Sequence, residues 1–456
     1  MGKHEICVPE SRILVQRLLR GYGRQEYGSN KAVYTVCSAL AATVGCGERD
    51  SGKQTVVVSI LNQTSEKDMY NAVKEAFEEK YTDIQIKFMP LSDYETDVRN
   101  KLKANETIDV LHVPDSHVTM FANDNVLENL EPYIESSGFD RSLYFESMIN
   151  MGKLNFNSEN DQYMIPRDYS KFVVYYNKTM FDTYEVEYPK SGWTWEDFKE
   201  TCRQLKQKMP SEYYCVDASM SYDILNYGVL ASYGADLFVD EEFNLIADTS
   251  AIEAGLKMLK SDILDPGYAC KPEIYKDGDF VRQVAPMTFN VRPAFATYKN
   301  AEIDFDVVEF PAIGDDPKIA TGSSGFGICT ASKVKDLAFK WISFVVSEEG
   351  QRIMSQSGSV VPVLKSLAES SNADWRKTTN GKGNAVNQDP FFSYSERDVV
   401  GAKWGDLPVK AVGMYGGYWS KCMNDYLNGK ETLESAISTM RKSITSCKRL
   451  YPEYFE

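Results

Sequence analysis

Histidine is almost absent from this chain: three occur in 456 residues, at His4, His112 and His117. With no GxSxG, HExxH or DxDxDG-type pattern beside them, the sequence offers no nucleophile–base pair, zinc-hydrolase helix or calcium loop. Positive charge is also short, 50 basic residues against 66 acidic ones, for a net charge of −16. Such a chain repels phosphate backbones, and no basic patch offsets this, so nucleic acid is not an expected partner. The nine cysteines are scattered without a CxxC pair, which argues against a zinc knuckle or a dithiol redox motif. No metal or cofactor is indicated. No apolar run approaches the roughly 20 residues that span a bilayer. What is present is an ordinary globular composition, 43% hydrophobic and 12% aromatic, long enough to bury two domain-sized cores.

The stretch KAVYTVCSALAATVGCGERD, Lys31 to Asp50, places one lysine ahead of an apolar run of about fifteen residues, the length of a signal-peptide core. It ends in Thr43-Val44-Gly45-Cys46, which resembles the lipobox of bacterial lipoproteins, departing from it at Thr43, where leucine is usual. The resemblance implies cleavage before Cys46, lipidation of that cysteine and anchoring to the outer face of the cell membrane. Thirty residues precede Lys31 with no further methionine, a pattern expected of a misplaced start or a frameshifted leader. The plainer alternative is a buried apolar helix with an incidental Cys46. Cleavage would remove six basic and three acidic residues and shift the net charge from −16 to −19. Six cysteines would remain beyond Cys46, among which Cys202 and Cys215 either pair or stay as isolated buried thiols.

Downstream, Thr55 to Leu61 is an apolar run of strand length, and Met69, Val73 and Phe77 mark one helical face. Ile84, Ile86 and Phe88 alternate as in a strand, Ser92 can cap a helix carrying Tyr94, Val98 and Leu102, and Thr107 to Val113 reads as strand again. Helical faces recur at Ile252, Leu256, Leu259 and Ile263, and at Leu433, Ile437, Met440 and Ile444, while the polar stretch Glu369 to Asn387 reads as a loop or surface helix. The alternation predicts an α/β fold with parallel sheets covered on both faces. Open sheets of that kind bind ligands beyond the carboxyl ends of their strands.

Seven stretches in order carry a family resemblance: IDVLHVPDS (108–116), YMIPRDYSKFVVYYNKTMF (163–181), GWTWEDF (192–198), DVVEFPAI (306–313), GSSGFGI (322–328), WISFVVSEEGQ (341–351) and VVPVLKSL (360–367). Together they resemble extracellular solute-binding proteins of sugar ABC transporters, the maltose-binding-protein-like family. The resemblance implies a two-lobe periplasmic-binding-protein-like fold (type II) with three hinge crossings, near Ile165, Phe310 and Pro362, and a ligand cleft between the lobes. It divides the chain into a leader (1–46), a linker (47–54), an N-terminal lobe (55–164 plus 311–362) and a C-terminal lobe (165–310 plus 363–456). The implied function is capture of an extracellular carbohydrate by a non-catalytic monomer and its delivery to the permease subunits of an ABC transporter. A secreted glycan-active hydrolase or lyase, and a sugar sensor partnered with a membrane receptor, are the competing readings.

Sugars offer edge hydroxyls to planar polar groups and a C–H face to aromatic rings. Arg167 and Asp168, at the entry to the second lobe, fit the first need, with a surface ion pair as the alternative. Asn62, Gln63, Asp115 and Ser116 follow strands. In GWTWEDF, Thr194 and Asp197 have capping-box spacing and Trp195 heads a core face, while Trp193 could face sugar or pack. Ser323, Ser324 and Phe326 lie in a glycine-rich stretch that either approaches a ligand or makes a tight turn. Tyr222, Asn226, Phe289, Tyr415 and Trp419 complete the candidates. Near Phe289, relatives commonly show a methionine, then a glycine, then a tryptophan that stacks on sugar; here Met287 is followed by Asn290 and Arg292. Arg167 and Arg292 together would suit a sugar bearing a carboxylate, such as a uronate. Intact-mass measurement of membrane-fraction protein checks the leader: a lipidated species beginning at Cys46 is expected, and retention of Met1 to Gly45 would refute it.

Overall fold

Alternation of apolar residues gives the first sheet its order. In a computed structural model, which describes residues 52–92, 94–153, 161–400, 404 and 407–455, five strands lie in the order β2-β1-β3-β10-β4. They are β1 (Gln54–Leu61), β2 (Ile84–Leu91), β3 (Val110–Pro114), β4 (Ile165–Pro166) and β10 (Ser324–Ile328). The helices Thr64–Lys80 and Tyr94–Lys103 connect the first three strands. The leader, Cys46 and most of the linker lie outside the described residues. Residues from Lys53 onward form one compact unit.

A second sheet runs β6-β7-β5-β8, from β5 (Val173–Asn177), β6 (Val216–Asp217), β7 (Met287–Asn290) and β8 (Phe305–Glu309). Two sheets agree with the α/β expectation, but neither is wholly parallel. β1 pairs in parallel with β2 and β3, whereas β10 is antiparallel to both β3 and β4. In the second sheet β6 and β7 are parallel, and β5 is antiparallel to both neighbours. A local strand–helix–strand crossover enforces parallel pairing. β4, β5, β8 and β10 instead flank chain passages between the sheets, and those passages set their direction.

Period-two alternation splits β5 between two cores. Val173 and Tyr175 join a cluster continuous with the first sheet, together with Phe295, Phe305 and Phe391. Val174 and Tyr176 face Phe198, Phe289, Trp404 and Trp419 on the other side. The capping box at Thr194 and Asp197 is present, and Trp195, Phe198, Cys202 and Leu205 are the buried face of the helix Trp195–Lys208. The face at Ile252 to Ile263 continues from the helix Ser250–Met258 into a π-helical turn, Leu259–Leu264. The polar stretch 369–387 carries only a short 3-10 turn, yet it buries Trp375. The six described cysteines are buried free thiols, and Cys215 Sγ lies 3.3 Å from the Cys202 carbonyl.

Between the sheets the chain is tied into a ribbon. Tyr169 bridges to Val361, Lys171 bridges to Thr321, and β9 (Ile319–Ala320) pairs in parallel with β11 (Asp398–Val399). The key is Asp398, which receives Lys171 Nζ at 2.8 Å, Ser147 Oγ at 2.8 Å and the Tyr169 hydroxyl. Lys171 also donates to the Ser393 carbonyl at 2.6 Å. The two charged side chains are 1% and 0% exposed, so removing one leaves the other buried and uncompensated. Lys171→Met is therefore expected to lower unfolding stability by about 3–5 kcal/mol. Urea titration checks this, and a loss below about 1 kcal/mol would refute it.

Candidate functional site

Strand direction gathers the polar candidates at one end of the first sheet. The carboxyl ends of β1 and β3 deliver Asn62, Gln63, Asp115 and Ser116, the end of β4 delivers Arg167 and Asp168, and antiparallel β10 begins there with Ser323 and Ser324. Backbone bonds lock the cluster: Asp115 N–H donates to the Ser323 carbonyl at 3.1 Å, and Arg167 N–H to the Ser324 carbonyl at 3.0 Å. Ser323 Oγ donates to Asp168 Oδ1. Asn62 Nδ2 donates to Ser92 Oγ at 2.9 Å, while Gln63 and Ser116 are exposed at the lip.

Arg167 is held rather than free. Its Nη1 and Nη2 donate to Glu66 Oε2 and Oε1 at 2.5 and 2.9 Å, Nη1 also reaches the Tyr70 hydroxyl at 2.6 Å, and Nε stands 3.5 Å from Asp168 Oδ2. Burial alone would raise the Glu66 pKa, but the charge and hydrogen bonds of Arg167 outweigh it and hold the carboxyl below its usual range. For Asp168, burial outweighs both Arg167 and Ser323, and the pKa is raised. Burial also lifts Asp115 to about 6, opposed only by backbone donors from Ser116 and Ser323. Gly322 permits this approach, since a Cβ there would stand 2.9 Å from Asp115 Oδ2.

The chain leading from Asp168 into the second sheet brings aromatic residues together. β5 begins at Val173, paired with Asn290 and Glu309, so Phe172 stands just ahead of it, and Tyr222 follows the end of β6. The Phe172 and Tyr222 rings meet edge to face at 5.8 Å, with Tyr222 exposed.

Several sequence candidates lie in the interior instead. Trp193 packs on Phe198 and donates Nε1 to the Glu309 carbonyl at 2.7 Å. Phe289 packs in tilted contact with Phe198 and Phe310. Phe326 is strand core against Tyr70, so GSSGFGI is neither a turn nor a ligand loop at that residue. Its Gly325 serves strand packing, as a Cβ there would stand 2.2 Å from the Ile165 carbonyl oxygen. Asn226 is buried beside Met423, Tyr415 donates to the Phe243 carbonyl, and Trp419 packs on Phe238. Arg292 is 1% exposed, donates to Gly358 O and Thr378 Oγ1 at 2.9 Å each and to Gln388, and lies over the Phe295 ring at 4.1 Å. Neither arginine is thus presented to a carboxylate ligand, and the uronate expectation loses both of its cations.

Sequence reasoning missed Glu66 and Tyr70. The signal was present: Glu66, Tyr70, Val73 and Phe77 fall at i, i+4, i+7 and i+11, an acid heading an apolar helical stripe.

A family model described as bacterial extracellular solute-binding protein matches residues 62–352. The chain belongs to that family. Solved structures show the same two-lobe fold for this solute-binding protein. A Listeria monocytogenes ABC substrate-binding protein in complex with cycloalternan is 20% identical, covering 86% of this chain and 98% of that one, with a TM-score of 0.70. The cyclic alpha-maltosyl-1,6-maltose binding protein of Arthrobacter globiformis is 15% identical, covering 87% and 99%, with a TM-score of 0.71. A Mycobacterium tuberculosis protein in complex with glycerophosphocholine is 17% identical, covering 87% and 98%, with a TM-score of 0.67. Among the described residues of the solute-binding protein, no helix is long and apolar enough to cross a membrane.

The pKa of Asp115 generates a stability test. An acid whose pKa is higher folded than unfolded favours the fold while protonated, and that advantage is lost as pH rises from about 4 through about 6. Asp115→Asn keeps an acceptor for the Ser116 N–H and removes the charge. It is expected to be more stable than wild type by about 1–2 kcal/mol at pH 7.5, the gap closing below pH 4. Urea titrations across that range check it, and an equal gap at both ends would refute it.

Proposed function

We propose that this solute-binding protein captures an uncharged oligosaccharide between its lobes and hands it, chemically unaltered, to an ABC permease. The observation that carries the reading is the cluster at the carboxyl end of the first sheet. Asn62, Gln63, Asp115, Ser116, Asp168 and Ser323 converge there as hydrogen-bonding groups, and exposed Tyr222 packs on buried Phe172 ahead of β5. Carboxylates and amides read sugar hydroxyls, and an exposed aromatic face packs on the ring. Relatives of the same fold bind cycloalternan and a cyclic maltosyl-maltose.

The ligand is taken as uncharged because both candidate cations are engaged, Arg167 by Glu66 and Arg292 within the core. A phosphodiester, as in the Mycobacterium tuberculosis relative, would meet Asp115 and Asp168 with both candidate arginines already engaged. The site's acids are placed to accept hydroxyl donors, and no step of bond cleavage is assigned to them. Closure supplies the mechanism: open and closed hinge states exchange, and ligand favours the closed one because only there do both lobes touch it. The lobes divide as 55–164 plus 311–362 and 165–310 plus 363–456, and the protein works as a monomer tethered through lipidated Cys46 on the outer face of the membrane.

Thermal-shift screening across neutral and acidic oligosaccharides tests the reading. A neutral glycan at about 100 times its Kd should add about 2.7 kcal/mol of stability, contract the scattering envelope and be recovered intact. Superimposable scattering with and without every saccharide, or a cleaved ligand, would overturn it.

A further inference from the structure

Arg167 offers what a carboxylate or phosphate group needs, two parallel N–H donors on a planar cation, yet those donors point at Glu66. The fork is closed at 2.5 and 2.9 Å, and Tyr70 and Asp168 flank the remaining edges of the guanidinium. The ion pair is not sealed in the core. Arg167 and Glu66 keep 9% and 14% of their side-chain surface, unlike Lys171 and Asp398 between the sheets, and Asp168 stands beside Arg167. Glu66 lies in the first turn of the helix Thr64–Lys80, where the helix dipole favours a negative charge.

Resting on the glycan-binding reading, we propose that Glu66 is a specificity-determining positioning residue: by holding the Arg167 guanidinium it closes the site to anionic ligands. Two carboxylates, Glu66 and Asp168, then stand against one guanidinium. An incoming carboxylate or phosphate finds surplus negative charge and no open pair of donors, which is discrimination by repulsion as well as by missing attraction. With Glu66 neutralised, the fork of Arg167 opens onto the site.

The test compares wild type, Glu66→Gln and the double variant Glu66→Gln/Arg167→Gln. Its probes are inorganic phosphate, a neutral oligosaccharide bound by wild type and the uronate counterpart of that glycan. Calorimetry at low salt should show wild type preferring the neutral glycan by at least about tenfold. Glu66→Gln should shrink that ratio by about tenfold or more and acquire a phosphate-dependent rise in Tm that wild type lacks. The double variant should lose both gains, a reversal that a merely structural role for Glu66 would not produce. An unchanged ratio and no phosphate response in folded Glu66→Gln would overturn the proposal, as would gains that persist in the double variant. If no saccharide binds wild type, the carbohydrate reading fails while the phosphate arm still decides the role of Glu66. Should Glu66→Gln not fold, Glu66→Asp, one methylene shorter, should show the same signs at smaller size.

Discussion

Both halves of this molecule hang on the short ribbon between the sheets, and the ribbon depends on Asp398. Its carboxylate is buried where a helix of the first lobe, the first passage between lobes and a late strand of the chain converge. A buried charge is tolerable only when it is paired and hydrogen-bonded, so Lys171, Tyr169 and Ser147 are bound to that place as firmly as Asp398 itself. The pairing β9–β11 then adds a separate two-stranded ladder beside these passages.

The same passages build the site. Because β10 is laid antiparallel by chain that arrives from the second lobe, Ser323 and Ser324 come to the end of the sheet where β1, β3 and β4 present Asn62, Asp115, Arg167 and Asp168. Candidate site residues from four separate stretches thus meet without a dedicated loop. Their electrostatics follow from burial: the Arg167 guanidinium is neutralised by Glu66 of the helix Thr64–Lys80, while desolvation raises the pKa of Asp115 and of Asp168.

Interior and surface aromatics illustrate what a sequence leaves open. Trp193, Phe289, Phe326, Tyr415 and Trp419 have the chemistry of sugar platforms, and all five are core. Of the aromatic candidates, Tyr222 is the one left exposed. A ring buries apolar area equally well against a helix or a glycan, so residue type does not separate the two uses. The same holds for Arg292, whose alkyl and guanidinium surfaces fill a gap between Phe295, Trp375 and Phe391.

The sequence by itself determined the local elements and the class of fold. Period-two and period-3.6 apolar patterns, the capping box at Thr194 and the order of seven stretches depend only on residues near one another in the chain. It also placed Asn62, Asp115 and Asp168 at strand ends, where a sheet offers ligand contacts. Tertiary structure alone decided strand direction in β10 and β5, the pairing of Lys171 with Asp398 across more than two hundred residues, and the capture of Arg167 by Glu66. Each of those depends on which distant segment arrives alongside, and a buried charge acquires its partner only when the chain has closed around it.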